Sequence, residues 1–421
     1  MAERRPEQEE RAALVKSLVS TAARRGRSGY LDLPEVPVTW AFEAGLPDPA
    51  TFPIDALARI SEQVLRDDSA LGLQYGGGYH GSVVYGFEGL RALLAERTRA
   101  LDGRDVGLRE LMLTSGGVQA LTATCQAFLD PGDSFAVEAP TWDAILSAAR
   151  TTGAEAVAIP LDDEGMRVDL LEQQLPELAR RGKPLKLVYT IDTFHTPTGV
   201  CLSLDRRRQL IELAREWNFV ILEDNVYGDL RYDGFPIPSM FSLDDSGLVI
   251  KVDSFSKTLA PALRIGWVTG HADAIAALAA VRGDLGVSQW IARVVAGFLR
   301  EGLYAPHLEA INALYRRKRD LAIRALREHC SEWLSWTEPD GGFFLWLEAN
   351  EAIDGRQVLR HAIARGVVCR PGERFFGDGE QGRQFFRLAF VTVPEAEIER
   401  GIRVLGEALR ASVRGAARTA P

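Results

Sequence analysis

From Arg109 to about Gly270, short apolar runs recur along the chain, and longer stretches between them return apolar residues every three or four positions. The runs Leu111 to Thr114, Ser134 to Glu138, Ala154 to Ile159, Lys186 to Ile191, Phe219 to Glu223 and Leu248 to Val252 have the length and β-rich make-up of strands. Between them, Val118 to Leu129 and Leu204 to Trp217 read as helices. Ser203 is placed to cap the second, with Asp205 in its first turn. Strand and helix in alternation predict right-handed parallel crossovers, and so an α/β fold: a mostly parallel sheet sandwiched by helices. Ligands of such sheets bind beyond the carboxyl ends of the strands. Polar residues just after each run are therefore the first place to look for chemistry.

The pattern changes after about Ala272. A helical stretch runs to His329, and then Phe343 to Glu348, Val367 to Arg370 and Phe385 to Phe390 predict strands of a smaller α+β domain. The expected division is residues 1–97 as an N-terminal segment joining the small domain or a subunit interface, 98–300 as the large domain, and 301–421 as the small one. With 421 residues, 46% hydrophobic and 25% charged, the chain can bury a large core. No window reaches the roughly 18 apolar residues of a membrane span. The net charge of -9 opposes a general attraction to nucleic acid. Cys125, Cys201, Cys330 and Cys369 lie far apart with no Cys-x-x-Cys pair, which fits free thiols in a reducing cytoplasm better than a disulfide frame or a zinc site. The first thirty residues lack the apolar core of a secretory signal.

Chemistry concentrates in Ser254-Phe255-Ser256-Lys257-Thr258, followed by Arg264. One lysine beside two hydroxyls and an arginine can form an imine with an aldehyde and hold a phosphate, and pyridoxal phosphate offers both groups. Asp224 follows the run Phe219 to Leu222, which puts a carboxylate at a strand end. That cofactor needs such a carboxylate to keep its ring nitrogen protonated. Thr114-Ser115-Gly116-Gly117-Val118 joins a strand to a helix, where backbone N–H groups can face an anion.

On these residues the chain resembles the fold-type-I pyridoxal-phosphate enzymes of the class I/II aminotransferases, in the aminoadipate and kynurenine aminotransferase-like branch, from about Trp40 to about Leu409. The resemblance implies a seven-stranded-type large-domain sheet with a smaller α+β domain. It implies a Schiff base on Lys257, phosphate ligands Ser254, Ser256 and Arg264 with the Ser115, Gly116, Gly117 and Val118 turn, a pyridine partner in Asp224, and Tyr227 bonded to the phenolic oxygen. It places Trp142, in Glu138-Ala139-Pro140-Thr141-Trp142, against the ring. Arg387 inherits the substrate α-carboxylate, and Gly45, in Gly45-Leu46-Pro47-Asp48-Pro49, lies on the substrate side. Tyr75 would reach a partner's phosphate in a homodimer.

Three departures stand out. Thr196, in His195-Thr196-Pro197-Thr198-Gly199, replaces an asparagine of the family pattern, and its shorter hydroxyl donates one hydrogen bond only. Gly117 and Val118 replace residues with cofactor-contacting side chains. The loop from Gly77 to Tyr85 is longer than in relatives by about six residues. His195 reads as a structural loop histidine and Asp192 as a solvated loop carboxylate. Transamination between an amino acid and a 2-oxo acid is the implied activity. The alternative is a non-transaminating enzyme of secondary metabolism, by γ-replacement, lyase chemistry or carbon–carbon bond formation. A regulator's sensory domain is a third reading, opposed by the acidic charge and by the roughly forty residues that precede the resemblance.

Overall fold

The computed structural model describes residues 11, 13–26, 37–75, 83–350, 353–376 and 381–419, with side chains described to residue 412. Strand β1 (Trp40–Phe42) belongs to a sheet completed late in the chain. Strands β2 (Leu111–Thr114), β3 (Ser134–Ala139), β4 (Glu155–Asp162), β5 (Gly165–Met166), β6 (Leu185–Thr190), β7 (Val220–Asp224), β8 (Val249–Ser254) and β9 (Gly266–Thr269) make the large sheet, in the order β2-β9-β8-β7-β6-β3-β4-β5. Strands β3, β4, β6, β7 and β8 are parallel, and β9 runs antiparallel to both of its neighbours. The eighth strand is β5, two residues folded back on the edge of β4. The sequence pattern had not separated β9 from the lysine-bearing stretch because it is only four residues long.

The central strands read as near-continuous apolar runs because helices cover both faces, whereas β4, toward the edge, is largely exposed. Alternation then sends neighbouring residues to opposite sides. Val188 and Ile221 pack with Leu210 and Phe219 in one cluster, while Leu187 and Leu222 join Met112 and Val252 on the other face. The second cluster continues into Phe343, Leu345 and Leu388, so the two sheets share a core. Each such side chain, fully buried, stabilises the fold by about 1.5–3 kcal/mol.

The helix expected from Leu204 to Trp217 has those bounds, but Ser203 makes no side-chain capping bond. Arg207, fully buried, anchors that end of the helix instead, donating to the carbonyls of Leu202, Asp192 and Pro238. The long helical stretch after Ala272 resolves into Ala272–Val281, Gln289–Arg300 and Tyr304–His329.

Strands β10 (Leu334–Trp336), β11 (Phe344–Ala349), β12 (Val367–Pro371) and β13 (Phe385–Ala389) join β1 in the order β1-β12-β13-β11-β10. The N-terminal strand thus pairs in parallel with β12, more than 300 positions later, in the register Trp40↔Val367, Ala41↔Val368 and Phe42↔Cys369. No helix among the described residues is long and apolar enough to cross a membrane.

Candidate active site

Strands β7 and β8 are parallel neighbours with Asp224 opposite Val252, so the residues that follow them emerge side by side. Asp224 is buried and accepts a hydrogen bond from Tyr189 Oη at 2.8 Å. Burial pushes its pKa up to about 6, and the Tyr189 bond works against that shift. Lys257, in the turn after β8, donates from Nζ to the Gly45 carbonyl at 2.7 Å. Burial pushes the amine down to about 8; the charge on Arg387 adds to this, Asp224 opposes it, and Arg264 adds a little more. Tyr227 lies 5.8 Å from that amine by its ring centroid and meets Phe343 and Phe344 edge-on.

Beside the lysine, Ser254 Oγ donates to Ser256 Oγ at 3.0 Å and accepts from the Ser256 amide at 3.1 Å. Arg264 sits in the left-handed region at φ +51 and bonds the Ser115 carbonyl. Gly116 holds φ +77, a conformation that favours glycine, and a Cβ there would stand 2.5 Å from Arg264 Nη2 and displace the guanidinium. The Ser115 amide, one of the donors expected to face an anion, is instead bonded to Gln119 Oε1 at 2.6 Å. Gly117 and Val118 open the following helix, Gly117–Phe128, and the Val118 side chain is 43% exposed.

The small sheet closes the other side. Arg387 lies in β13 opposite Trp346 on one neighbour and Arg370 on the other. Its Nη2 donates to the Glu43 carbonyl at 2.7 Å, its guanidinium carbon stands 4.1 Å from the Phe344 ring centroid and 5.1 Å from that of Phe375, and its buried Nε has no partner among the described residues. Burial lowers its pKa to about 10. Gly45 packs so closely that a Cβ there would be 2.8 Å from Phe344 Cζ. Trp142 precedes the helix Asp143–Thr152, and the neighbouring Thr141 amide bonds the Phe375 carbonyl at 2.8 Å.

The loop after β6 corrects one expectation. Asp192 is not solvated: it is fully buried and ion-paired with Arg207. The segment between β10 and β11 covers this loop, with Thr337 Oγ1 bonded to the Thr198 carbonyl at 2.7 Å and Pro339 against Gly199. Thr196 is buried there with its hydroxyl unpartnered. His195 is buried and engages Thr198 Oγ1 through Nδ1 at 2.8 Å.

Tyr75 is not gathered into this cluster. It is 76% exposed, on a groove with Leu73, Leu285 and Trp290. Most of the long loop that follows it, residues 76–82, lies outside the described residues. Sequence reasoning passed over Tyr189, Gln119, Glu43, Phe344 and Phe375. Tyr189 carried a signal, a phenol near the carboxyl end of a strand of the large sheet; the others come from separate segments that only the packing unites.

Residues 84–405 match the family model described as aminotransferase class I and II. The chain is 40% identical over 382 residues, 90% of each chain, to aromatic-amino-acid aminotransferase 1 of Thermococcus litoralis. It is similar to the crystal structure of a multiple substrate aminotransferase from Thermococcus profundus, with a TM-score of 0.87 and 36% identity over 95% of this chain and 99% of that one. A kynurenine aminotransferase from Pyrococcus horikoshii, solved in complex with PMP, gives a TM-score of 0.86 at 36% identity over 94% and 98% of the two chains.

Proposed function

This chain belongs to the class I and II aminotransferases, transferases that use pyridoxal 5'-phosphate, and we propose that it moves the amino group of an apolar or aromatic amino acid to a 2-oxo acid by way of Lys257. The donor set fits that cofactor. Ser254, Ser256 and Arg264 suit a phosphate, Asp224 suits a ring nitrogen, and the unpartnered Thr196 hydroxyl suits a phenolic oxygen. When bound, pyridoxal phosphate supplies an aldehyde for imine exchange and a protonated ring that draws electron density from the α-carbon.

One observation carries the reading. Lys257 and Arg387 come from different sheets yet donate to carbonyls two residues apart, Gly45 and Glu43. An amine and a guanidinium so placed can serve one α-amino acid at once. Arg387 would exchange the Glu43 carbonyl for the α-carboxylate, held by two parallel N–H bonds. Lys257 would take the α-proton at Nζ, and a pKa near 8 leaves a useful share of the amine unprotonated at neutral pH. Asp224, oriented by Tyr189, would stay ionised against a ring cation, which offsets the upward push of burial. Phe344 and Phe375 shield these charges from water and, with Trp346, offer an apolar wall to the substrate side chain. The names of the aromatic and kynurenine aminotransferase relatives accord with such a wall.

A homodimer belongs to the same reading, supported by exposed Leu73, Tyr75 and Leu285 around one groove. A cytoplasmic setting is supported by four unpaired cysteines. Borohydride reduction followed by peptide mass analysis should find cofactor mass on Lys257, and mixing with a donor amino acid should accumulate pyridoxamine phosphate. Cofactor mass elsewhere would overturn the role of Lys257. A donor consumed without pyridoxamine phosphate would favour the replacement or cyclising alternative.

A further inference from the structure

Thr258, the residue after Lys257, is buried and held at two points. Its Oγ1 lies 2.9 Å from Tyr304 Oη, and its carbonyl accepts from His307 Nε2 at 2.8 Å. Tyr304 Oη also stands 2.8 Å from Asp229 Oδ2. A phenol has one proton and an ionised carboxylate can only accept, so Tyr304 donates to Asp229 and accepts a hydrogen bond from the Thr258 hydroxyl. Asp229 is fixed in turn: Arg97 Nη2 reaches its two carboxylate oxygens at 2.5 and 2.6 Å, and its carbonyl accepts from Asn312 Nδ2 at 2.9 Å. Burial and the charge of Asp229 hold the Tyr304 pKa well above its ordinary value, so the phenol keeps its proton throughout the neutral range.

Tyr304 and His307 lie in the first turn of the helix Tyr304–His329. Farther along, the same helix grips Asp48. Tyr315 Oη accepts from the Asp48 amide at 3.1 Å, and buried Lys318 donates from Nζ to Asp48 Oδ2 and to the Val391 carbonyl, each at 2.6 Å. Asp48 stands three residues past Gly45, whose carbonyl receives the Lys257 amine. One helix therefore sets the place of both ends of the lysine, its backbone through Thr258 and its tip through the Gly45 loop. The two grips are about 21 Å apart along a helix that rises 1.5 Å per residue. Slack at Thr258 would shift Nζ against a loop that stays where it is.

We propose that Tyr304 is a positioning residue for Lys257, acting through the Thr258 hydroxyl while its helix holds the loop that meets the amine. This role rests on Lys257 as the reacting amine, the reading given above; the bonds that hold Thr258 do not.

Thr258→Val removes the hydroxyl at nearly constant shape and leaves Tyr304 bonded to Asp229, and Tyr304→Phe removes the other partner. Each should lower kcat by between about ten- and a hundredfold, as for a misplaced reacting group, with KM within about twofold. Thr258→Ser, which keeps the donor, should restore most of the rate. The double variant should lose no more than the worse single one, because both break the same bond. A second readout needs no turnover. Trace acetylation of the cofactor-free full-length protein, followed across pH by peptide mass analysis, gives the midpoint of Lys257. Burial is the largest cause holding that amine down to about 8, and Arg387, Asp224 and Arg264, the charged groups that act on it, are untouched by these variants. A loosened turn admits water, so the midpoint should rise by about one unit in Thr258→Val and return in Thr258→Ser. Variants that melt at a lower temperature yet keep wild-type kcat and midpoint would overturn the proposal and leave the clamp a part of the fold alone. Multiplying losses in the double variant would overturn it too. If Tyr304→Phe does not fold, Thr258→Val and Thr258→Ser decide. Borohydride labelling of wild type that finds no cofactor on Lys257 is a different result, obtained before any variant is made, and it would end the reading of Lys257 itself.

Discussion

In and just beyond the strands of the eight-stranded sheet, Asp224 is hydrogen-bonded to Tyr189, Asp192 is ion-paired with Arg207, and Lys251 with Asp102. On the face of the five-stranded sheet, Arg387 bonds a backbone carbonyl of the Glu43 loop and leaves Nε unpaired. The first region has its charges completed by fixed side chains. The second holds a buried cation whose present partner, a neutral carbonyl, is a poor match for a fork that suits a carboxylate. The contrast separates tasks: one sheet sets the electronics in advance, and the other waits for the ligand to complete it. Lys257 spans the two, because its amine sits on the large sheet but bonds the small-sheet loop at Gly45.

Lys257→Ala gives the largest expected effect, a fall in turnover of about four powers of ten, the upper end for a positioned acid–base group. Single-turnover absorbance measurements check it, and near-normal turnover would remove the lysine from the chemistry. Arg387→Met comes next. Removing the buried guanidinium should cost about 3 kcal/mol in kcat/KM, with most of the loss in KM. It should also raise the pH of the lysine-dependent limb, because Arg387 is the largest charge holding that amine down to about 8. An unmoved limb would mean the two sheets are not coupled through charge.

The contrast also explains what the sequence could disclose. Lys257, Asp224, Ser254 and Ser256 sit at or just after strand ends of one βαβ series, and apolar runs mark those ends without any knowledge of packing. The recognition side draws on Glu43 and Gly45 near the start of the chain and on Phe344, Phe375 and Arg387 from three separate segments near its end, so no local pattern joins them. Arg387 was legible through family resemblance and Phe344 was not. Asp192 was misjudged because its loop looks polar, Asp-Thr-Phe-His-Thr, while its carboxylate is met by buried Arg207 from the helix Leu204–Trp217.

That misjudged residue yields a stability test of the completed edge. Asp192→Asn leaves the fully buried Arg207 without its carboxylate, and breaking a buried pair in this way costs about 3 kcal/mol. For a chain of this size the melting temperature should drop by about 3–4 °C in calorimetry. An unchanged melting point would show that carbonyls alone satisfy Arg207.

The smallest expected effect belongs to Thr196, where the edge is left incomplete. Its buried hydroxyl has no partner among the described residues and can donate one hydrogen bond to an oxygen placed there. An asparagine amide reaches further and offers two donors. Thr196→Asn should therefore stabilise the anionic phenolic oxygen of the bound cofactor and lower the midpoint of its spectrophotometric pH titration by about one unit, worth about 1.4 kcal/mol. Turnover should change far less than in Lys257→Ala or Arg387→Met, since neither the proton-taking amine nor the carboxylate fork is touched. An identical midpoint would place Thr196 outside contact with the cofactor and leave its orphaned hydroxyl to be met by water.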